Sequence, residues 1–298
     1  MENIRYEFYS PNKGYEEIQA NIFNRNTQRG VSAKDIERKI TKTRKDPKLL
    51  RYAFSEEGKP LAYIQASQVS SSVYYLGYPW CIPECPSFVQ EKLFIDMLEF
   101  LKTKDLDEIQ YWLNASHKEG IAFFESKGFI QQIKGVTYKF NLQDIKDYPL
   151  ESSKYTTHLA TMEDVDLLVE IGTIDKELQQ AGLTGEWLKN YFETKVLTDG
   201  HCIMVKDEDK IVCASAPLRD PHGTESNNII LRFTATRPGY EDVWPYLIVE
   251  IAKECIKAEW DLPLHVNLED ESKVANFLLP LKPQISESYH LYVLNLKR

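Results

Sequence analysis

Residues 73–82, VYYLGYPWCI, gather three tyrosines, a tryptophan and a cysteine in one apolar run. Tyr78 and Cys81 are the side chains there that could exchange a proton with a substrate. Tyr75, Tyr78 and Trp80 equally suit a core or a cleft wall, because aromatic side chains favour strands. Cys81 and Cys85 have the spacing of half a zinc site, but no second pair or histidine cluster follows, so no metal is expected. Ser87 to Gln90 (Ser87, Phe88, Val89, Gln90) open a helical pattern, and free amides at a helix start can hold an anion.

Ten Lys or Arg between Arg25 and Arg51 face only Asp35, Glu37 and Asp46, a local excess of seven positive charges. Such a stretch could draw an acidic substrate, a phosphate or a nucleic acid, or could simply be a solvated helix face. No interleaved aromatics support base stacking. The six histidines are scattered, and no Walker loop, GxGxxG, HExxH, GxSxG or EF-hand loop occurs.

These residues must be positioned by a chain of 298 residues, enough for two domains. Apolar residues make up 43%, which excludes a mainly disordered chain. The net charge of −9 argues against whole-chain attraction to nucleic acid or anionic lipid. No apolar run is long enough for a membrane helix and no signal-like start is present, so a cytoplasmic protein without a membrane partner is expected. Five scattered cysteines read as reduced, packed thiols.

The two halves repeat one order of elements. In the first, IRYEFYS alternates as a strand, and GYEEIQANIF and SAKDIERKITKTRKD read as helices. A hairpin turns at Glu57 and Gly58, and residues 73–82 form the next strand. Phe88, Val89, Leu93, Phe94, Met97, Leu98 and Leu101 recur at helical spacing, with Ser87 and Gln90 as a capping box. Strand EIQYWLNA, helix KEGIAFFESK closed by Gly128, and strand GVTYKFNL follow. The second half runs YTTHLAT, two helices, hairpin 201–218, strand NNIILRFTATR, helix WPYLIVEIAKECIKA, strand LPLHVNL, helix ESKVANFLL and strand YHLYVLNL. Two copies are therefore expected over 1–146 and 152–298, joined by a polar linker.

This order resembles the GNAT superfamily of acyl-CoA-dependent N-acetyltransferases. The string HKEGIAFFESKGF, residues 117–129, is similar to the family's late motif, and TATRPGY, residues 234–240, to the end of its fourth strand. THLATMEDVDLLVEI resembles its first strand and helix. The resemblance implies an α/β (α+β) fold of two tandem GNAT-like lobes, each a mixed, mainly antiparallel sheet flanked by helices. It implies acetyl-CoA or another acyl-CoA as co-substrate, no metal, and a small-molecule or peptide amine as acceptor.

The family's Gly-rich pyrophosphate loop is missing from both halves. Residues 83–92 contain no glycine, while Glu241, Asp242, Trp244 and Pro245 stand at the second copy's loop. The first half is thus the expected donor site, with pantetheine along Cys81 and Ile82 and pyrophosphate at Ser87, Phe88, Val89 and Gln90. The family's acid tyrosine corresponds to Phe124 and, by offset, Leu278, neither of which carries a proton. Tyr78 is then the candidate catalytic group. An N-acetyltransferase and a catalytically silent binding or regulatory module both fit this pattern.

Overall fold

The structure is a computed structural model that describes residues 3–27, 30–43, 46–150, 154–175, 178–179, 184–220, 228–270 and 272–296. Arg29, Arg44 and Lys45 of the basic stretch, and part of the expected linker, lie outside the described residues. Two compact units emerge. One comprises residues 1–132 together with 290–298, the other residues 133–289.

Unit 1 begins with β1 (Arg5–Phe8), α1 (Tyr15–Thr27) and α2 (Ala33–Thr43). The hairpin β2 (Leu50–Phe54) and β3 (Pro60–Gln68) turns through Gly58 at φ 83°, a left-handed conformation that glycine adopts without a Cβ penalty. The strand expected over 73–82 is divided into β4 (Val73–Leu76) and β5 (Trp80–Cys81), followed by α3 (Ser87–Lys102), β6 (Glu108–Asn114) and α4 (Lys118–Ser126).

Val89, Leu93, Phe94, Met97 and Leu101 form the buried stripe of α3, as their spacing predicts. Its start differs from the expected capping box. Pro86, extended at ψ 137°, is the N-cap and makes no side-chain cap, so Ser87 already sits inside the helix and Gln90 is released for another contact. α4 ends in a Schellman motif: Gly128 at φ 82° donates to the Glu125 carbonyl and Phe129 to that of Phe124.

Unit 2 contains most of β7 (Ile130–Phe140), then α5 (Leu142–Ile145), β8 (Tyr155–Leu159), α6 (Val165–Gly172) and α7 (Gly185–Tyr191). The expected long helix from Gly185 continues past α7 as a π turn and a 3-10 turn, ending at Gly200. β9 (Ile203–Asp207), β10 (Lys210–Asp220), β11 (Asn228–Thr236), α8 (Trp244–Lys257), β12 (Leu264–Glu269), α9 (Lys273–Leu278) and the first part of β13 (Gln284–Asn295) complete it. Its core forms two clusters. Ile203 and Val205 of β9 belong to one and Met204 to the other, the period-two alternation of a strand buried on both faces.

The repeat in sequence and the compact units are different divisions of the chain. β7 ends the first copy, yet from Ile133 onward it belongs to unit 2, where Val136, Thr137 and Tyr138 pair with Leu268, Asn267 and Val266 of β12. The last residues of the second copy belong to unit 1: Tyr292 is buried in its core and bonds Glu125 at 3.1 Å, and the Leu296 amide bonds the Asp107 carbonyl. Each copy thus closes with the other's final strand. Among the described residues, no helix is long and apolar enough to cross a membrane.

Because Tyr292 is 1% exposed, Tyr292→Ala is expected to destabilise the protein by about 3–5 kcal/mol, the usual cost of truncating a buried ring. Tyr292→Phe, losing only the bond to Glu125, is expected to cost about 1 kcal/mol. Urea unfolding curves measure both; equal, negligible losses would contradict a C-terminal strand built into the core of unit 1.

Candidate functional site

In unit 1 the site is created by two parallel strands that part. β4 and β6 pair through Val73↔Glu108, Tyr74↔Ile109 and Tyr75↔Gln110, where their ladder ends. β4 stays with β3 through Leu76↔Ala66 and the Gly77 amide on the Gln65 carbonyl at 2.8 Å. Pairing resumes with Trp80↔Tyr63 and Cys81↔Ala62, so Tyr78 and Pro79 share the place opposite Ile64. That additional residue is a β-bulge, and it bends the strand away from β6. A cavity of about 210 Å³ opens at the parting, lined by Gln65, Ala66, Ser67, Tyr75, Gly77, Tyr111 and Trp112. Gly77 eases the close approach of the two backbones: a Cβ there would lie 3.0 Å from the Gln65 carbonyl oxygen, a tight contact.

The cavity wall is held from behind. Gln19 of α1, 2% exposed, donates to the Gln65 side chain at 2.9 Å and accepts from the Tyr52 hydroxyl at 3.2 Å. These side-chain amides satisfy one another in the core, where an unpaired polar group would be costly. Tyr111 stacks on Phe124, which is fully buried against Phe94 and Phe129. At this position the chain uses a ring for packing and presents no proton.

Tyr78 does not line the cavity. Its ring is buried and packs edge-on against Trp80, His117 and Phe123, with centroid distances of 5.2, 4.8 and 5.4 Å. Burial pushes its hydroxyl pKa upward, opposed by a hydrogen bond from Gln90. His117 is the N-cap residue of α4 but makes no side-chain cap. Its ring instead stacks on Trp80, centroids 5.3 Å apart and planes 5° from parallel. The stack reaches from β5 to the start of α4, across the interval that the bulge opens. Gly120 permits it, since a Cβ would come within 2.5 Å of His117 Nδ1.

The expected pantetheine track is partly engaged by the protein itself. Asn26 of α1 donates to the Cys81 carbonyl at 2.9 Å, and the Ile82 amide bonds the Leu61 carbonyl at 2.9 Å. Gln90 Nε2 donates to the Pro79 carbonyl at 3.1 Å, fixing the bulge to α3. The amides of Ser87 and Phe88 lie in the first turn, where a helix has no intrahelical acceptors to offer. Val89 is buried and its amide meets the Pro86 carbonyl at 2.9 Å.

In the basic stretch, Arg51 pairs with Asp96 at 2.8 Å and lies over Tyr6 and Phe8. Arg38 lies 4.0 Å from Asp35. Both act within the fold. Among the described residues, no group of three or more His, Cys, Asp or Glu could hold a metal ion.

Unit 2 repeats the parting. β11 and β12 pair as Ile229↔Leu264 and Ile230↔His265, and a bulge at Arg232 follows, opposite Ala216 and Pro217 of β10. In the loop beyond it, two carboxylates are engaged by the protein itself. Glu241 accepts from the Gly239 amide at 3.3 Å, and backbone bonds hold its carboxyl pKa below the ordinary value. Asp242 accepts from the Tyr155 hydroxyl at 2.9 Å, and Trp244 is buried. A carboxylate on these amides opposes a second anion there.

Sequence reasoning picked out Tyr75 as a cleft wall but missed Gln19, Gln65, Tyr111, Trp112 and Asn26. The glycine at 77 inside an apolar strand was the available signal for the bulge.

No family model matches the chain, and no curated protein matches it. Solved structures do. A GCN5-related N-acetyltransferase from Sphaerobacter thermophilus superimposes with a TM-score of 0.75 at 10% identity, covering 99% of this chain and 96% of that one. A tandem GNAT protein from the clavulanic acid biosynthesis pathway gives 0.69 at 8% identity over 99% of each. A GCN5-related glucosamine N-acetyltransferase region of a fungal multi-domain β-N-acetylglucosaminidase gives 0.74 at 13% identity; this chain spans 38% of it. The chain therefore has the tandem GNAT fold, mixed α/β with mostly antiparallel strands flanked by helices.

Burial lowers the His117 pKa below its ordinary 6.5, with Glu119 opposing. The unfolded chain then takes up this proton first, so the His117 contribution is intact above pH 6.5 and is lost as pH falls below it. Urea midpoints at pH 7.5 and 5.5 should differ less in His117→Gln than in the wild type. An unchanged difference would show that His117 is not held neutral by the stack.

Proposed function

We propose that the protein is an acyl-CoA-dependent N-acyltransferase, moving an acetyl or other acyl group to an amine of a small molecule or peptide. Unit 1 is the donor unit in this reading. The observation that carries it is the cavity at the parting of β4 and β6, with the uncapped first turn of α3 leading away from β5. An acyl-CoA would supply the acyl group as a thioester. The Cys81 carbonyl is the strand acceptor available to a pantetheine amide once Asn26 withdraws, and the Ser87 and Phe88 amides suit a phosphate.

Attack by an amine requires its lone pair, so an ammonium acceptor must lose a proton before or during the step. Gln65, Ser67, Tyr75, Tyr111 and Trp112 line the cavity without a carboxylate or imidazole. The acceptor accordingly enters as the neutral amine or passes its proton to water. Tyr75 and Tyr111 are the cavity hydroxyls that could return a proton to the departing thiolate, while Tyr78, buried behind Trp80, would act only if the stack opened.

One observation favours a second reading. The Trp80 and His117 stack, with Asn26 on the Cys81 carbonyl, fills the approach along β5 with the protein's own side chains. A silent module that binds a small molecule or partner would need no clearance there.

Calorimetry with acetyl-CoA separates the two readings. The enzyme reading predicts saturable binding by the wild type, tightened about tenfold, or 1.4 kcal/mol, by Trp80→Ala. No binding by either form would favour the silent module. If turnover is found, Tyr111→Phe should lower it by about 10²-fold if that hydroxyl is the acid, with Tyr78→Phe near wild type. The reverse pattern would return the proton to Tyr78.

A further inference from the structure

Unit 2 holds a second cavity, of about 370 Å³, within the size range of small-molecule sites. Three segments meet around it: the end of β7 with α5, the loop 261–263 that leads into β12, and the turn 281–284 that leads into β13. It is not the parting of β11 and β12. Those strands separate beyond Ile230 and His265, whereas Pro263, which lines the cavity, accepts the Ile229 amide at 2.9 Å where their pairing begins. The cavity therefore lies at the opposite end of β12 from the parting.

Its lining divides by chemistry. Phe140, Leu142, Ile145, Leu262 and Leu281 supply an apolar floor continuous with a core cluster of unit 2. Lys139, Lys282, Asp144 and Asp261 add two charges of each sign. Among the described residues, none of these four side chains makes a hydrogen bond or an ion pair, although Lys253 and Lys257 of the same unit are paired with Glu250 and Glu254.

The backbone at Lys282 is an independent observation. It caps the 3-10 turn Leu279–Leu281 in a left-handed conformation, φ 53° and ψ 51°. Glycine takes that conformation without a Cβ penalty, so a lysine there keeps a cation at the cavity at a cost in backbone strain. Such strain gathers where a ligand is held.

We propose that this cavity binds a free α-amino acid with an apolar side chain. Its carboxylate pairs with Lys139 and Lys282, its ammonium with Asp144 and Asp261, and its side chain leaves water for the apolar floor. Ligands of a single sign fit poorly. A phosphate or dicarboxylate would meet two aspartates and a polyamine two lysines, whereas a zwitterion complements a lining whose charges cancel. This inference is independent of the acyl-transfer reading.

The test is calorimetry on the folded full-length chain with L-leucine, with isocaproate, which lacks the ammonium, and with isoamylamine, which lacks the carboxylate. L-Leucine should bind saturably, and each analogue at least about tenfold more weakly. Lys282→Gly removes the charge and suits the left-handed backbone, so it should weaken L-leucine about tenfold while the urea midpoint stays equal or rises. Asp261→Asn, at an exposed position, should weaken it similarly with the fold intact. No saturable binding of L-leucine, equal affinity for the three compounds, or full affinity in both variants would overturn the proposal.

Discussion

A single inserted residue governs the geometry of unit 1. Two parallel strands held by a full ladder would leave no room between them. The bulge at Tyr78 and Pro79 keeps β5 on β3 while releasing it from β6, and the cavity, the Trp80–His117 stack and the start of α3 all follow from that release. Much of the surrounding sequence serves to hold the bulge: Gln90 binds the Pro79 carbonyl, Gly77 lets the Gln65 backbone approach, and Asn26 secures the Cys81 carbonyl. Unit 2 obtains the same parting from a bulge at Arg232, where Pro217 on the opposite strand has no amide to pair.

The copies then diverge in how they occupy the released space. Unit 1 fills it with rings and leaves a neutral, aromatic cavity at the apex. Unit 2 turns a carboxylate onto its own loop amides and buries a tryptophan where the chain enters α8. As anion sites they differ in charge: Glu241 and Asp242 fill the 3-10 turn before α8 and Glu241 takes up the Gly239 amide, whereas Glu84 alone precedes α3.

The fold was largely legible because its signals are periodic. The α3 stripe, the turn at Gly58 and the Gly128 terminus each follow from local rules, and the repeated order exposed the duplication. The closing strands were not legible: nothing in GVTYKFNL or YHLYVLNL states which sheet edge it joins, since alternation sets a strand's faces but not its neighbour. The site was half legible. The family resemblance pointed to Phe124 and to the loop at Glu241, and residue type then says that the first carries no proton and the second carries carboxylates. The Trp80–His117 stack, the Asn26 contact and the cavity lining depend on a bulge whose sequence mark is one glycine, and on residues far apart in the chain. Ser87 misled as a cap because Pro86, with φ fixed by its ring, takes the N-cap place instead.

The most direct test of the central claim, that the parting of β4 and β6 is the acyl-donor site, is amide chemical-shift mapping of the labelled full-length protein titrated with acetyl-CoA. The account predicts saturable shifts at Gly77, Cys81, Ser87, Phe88, Tyr111 and Trp112, with the Trp80 indole moving in step. Shifts concentrated instead at Thr234, Gly239 and Tyr240, with unit 1 unchanged, would contradict it.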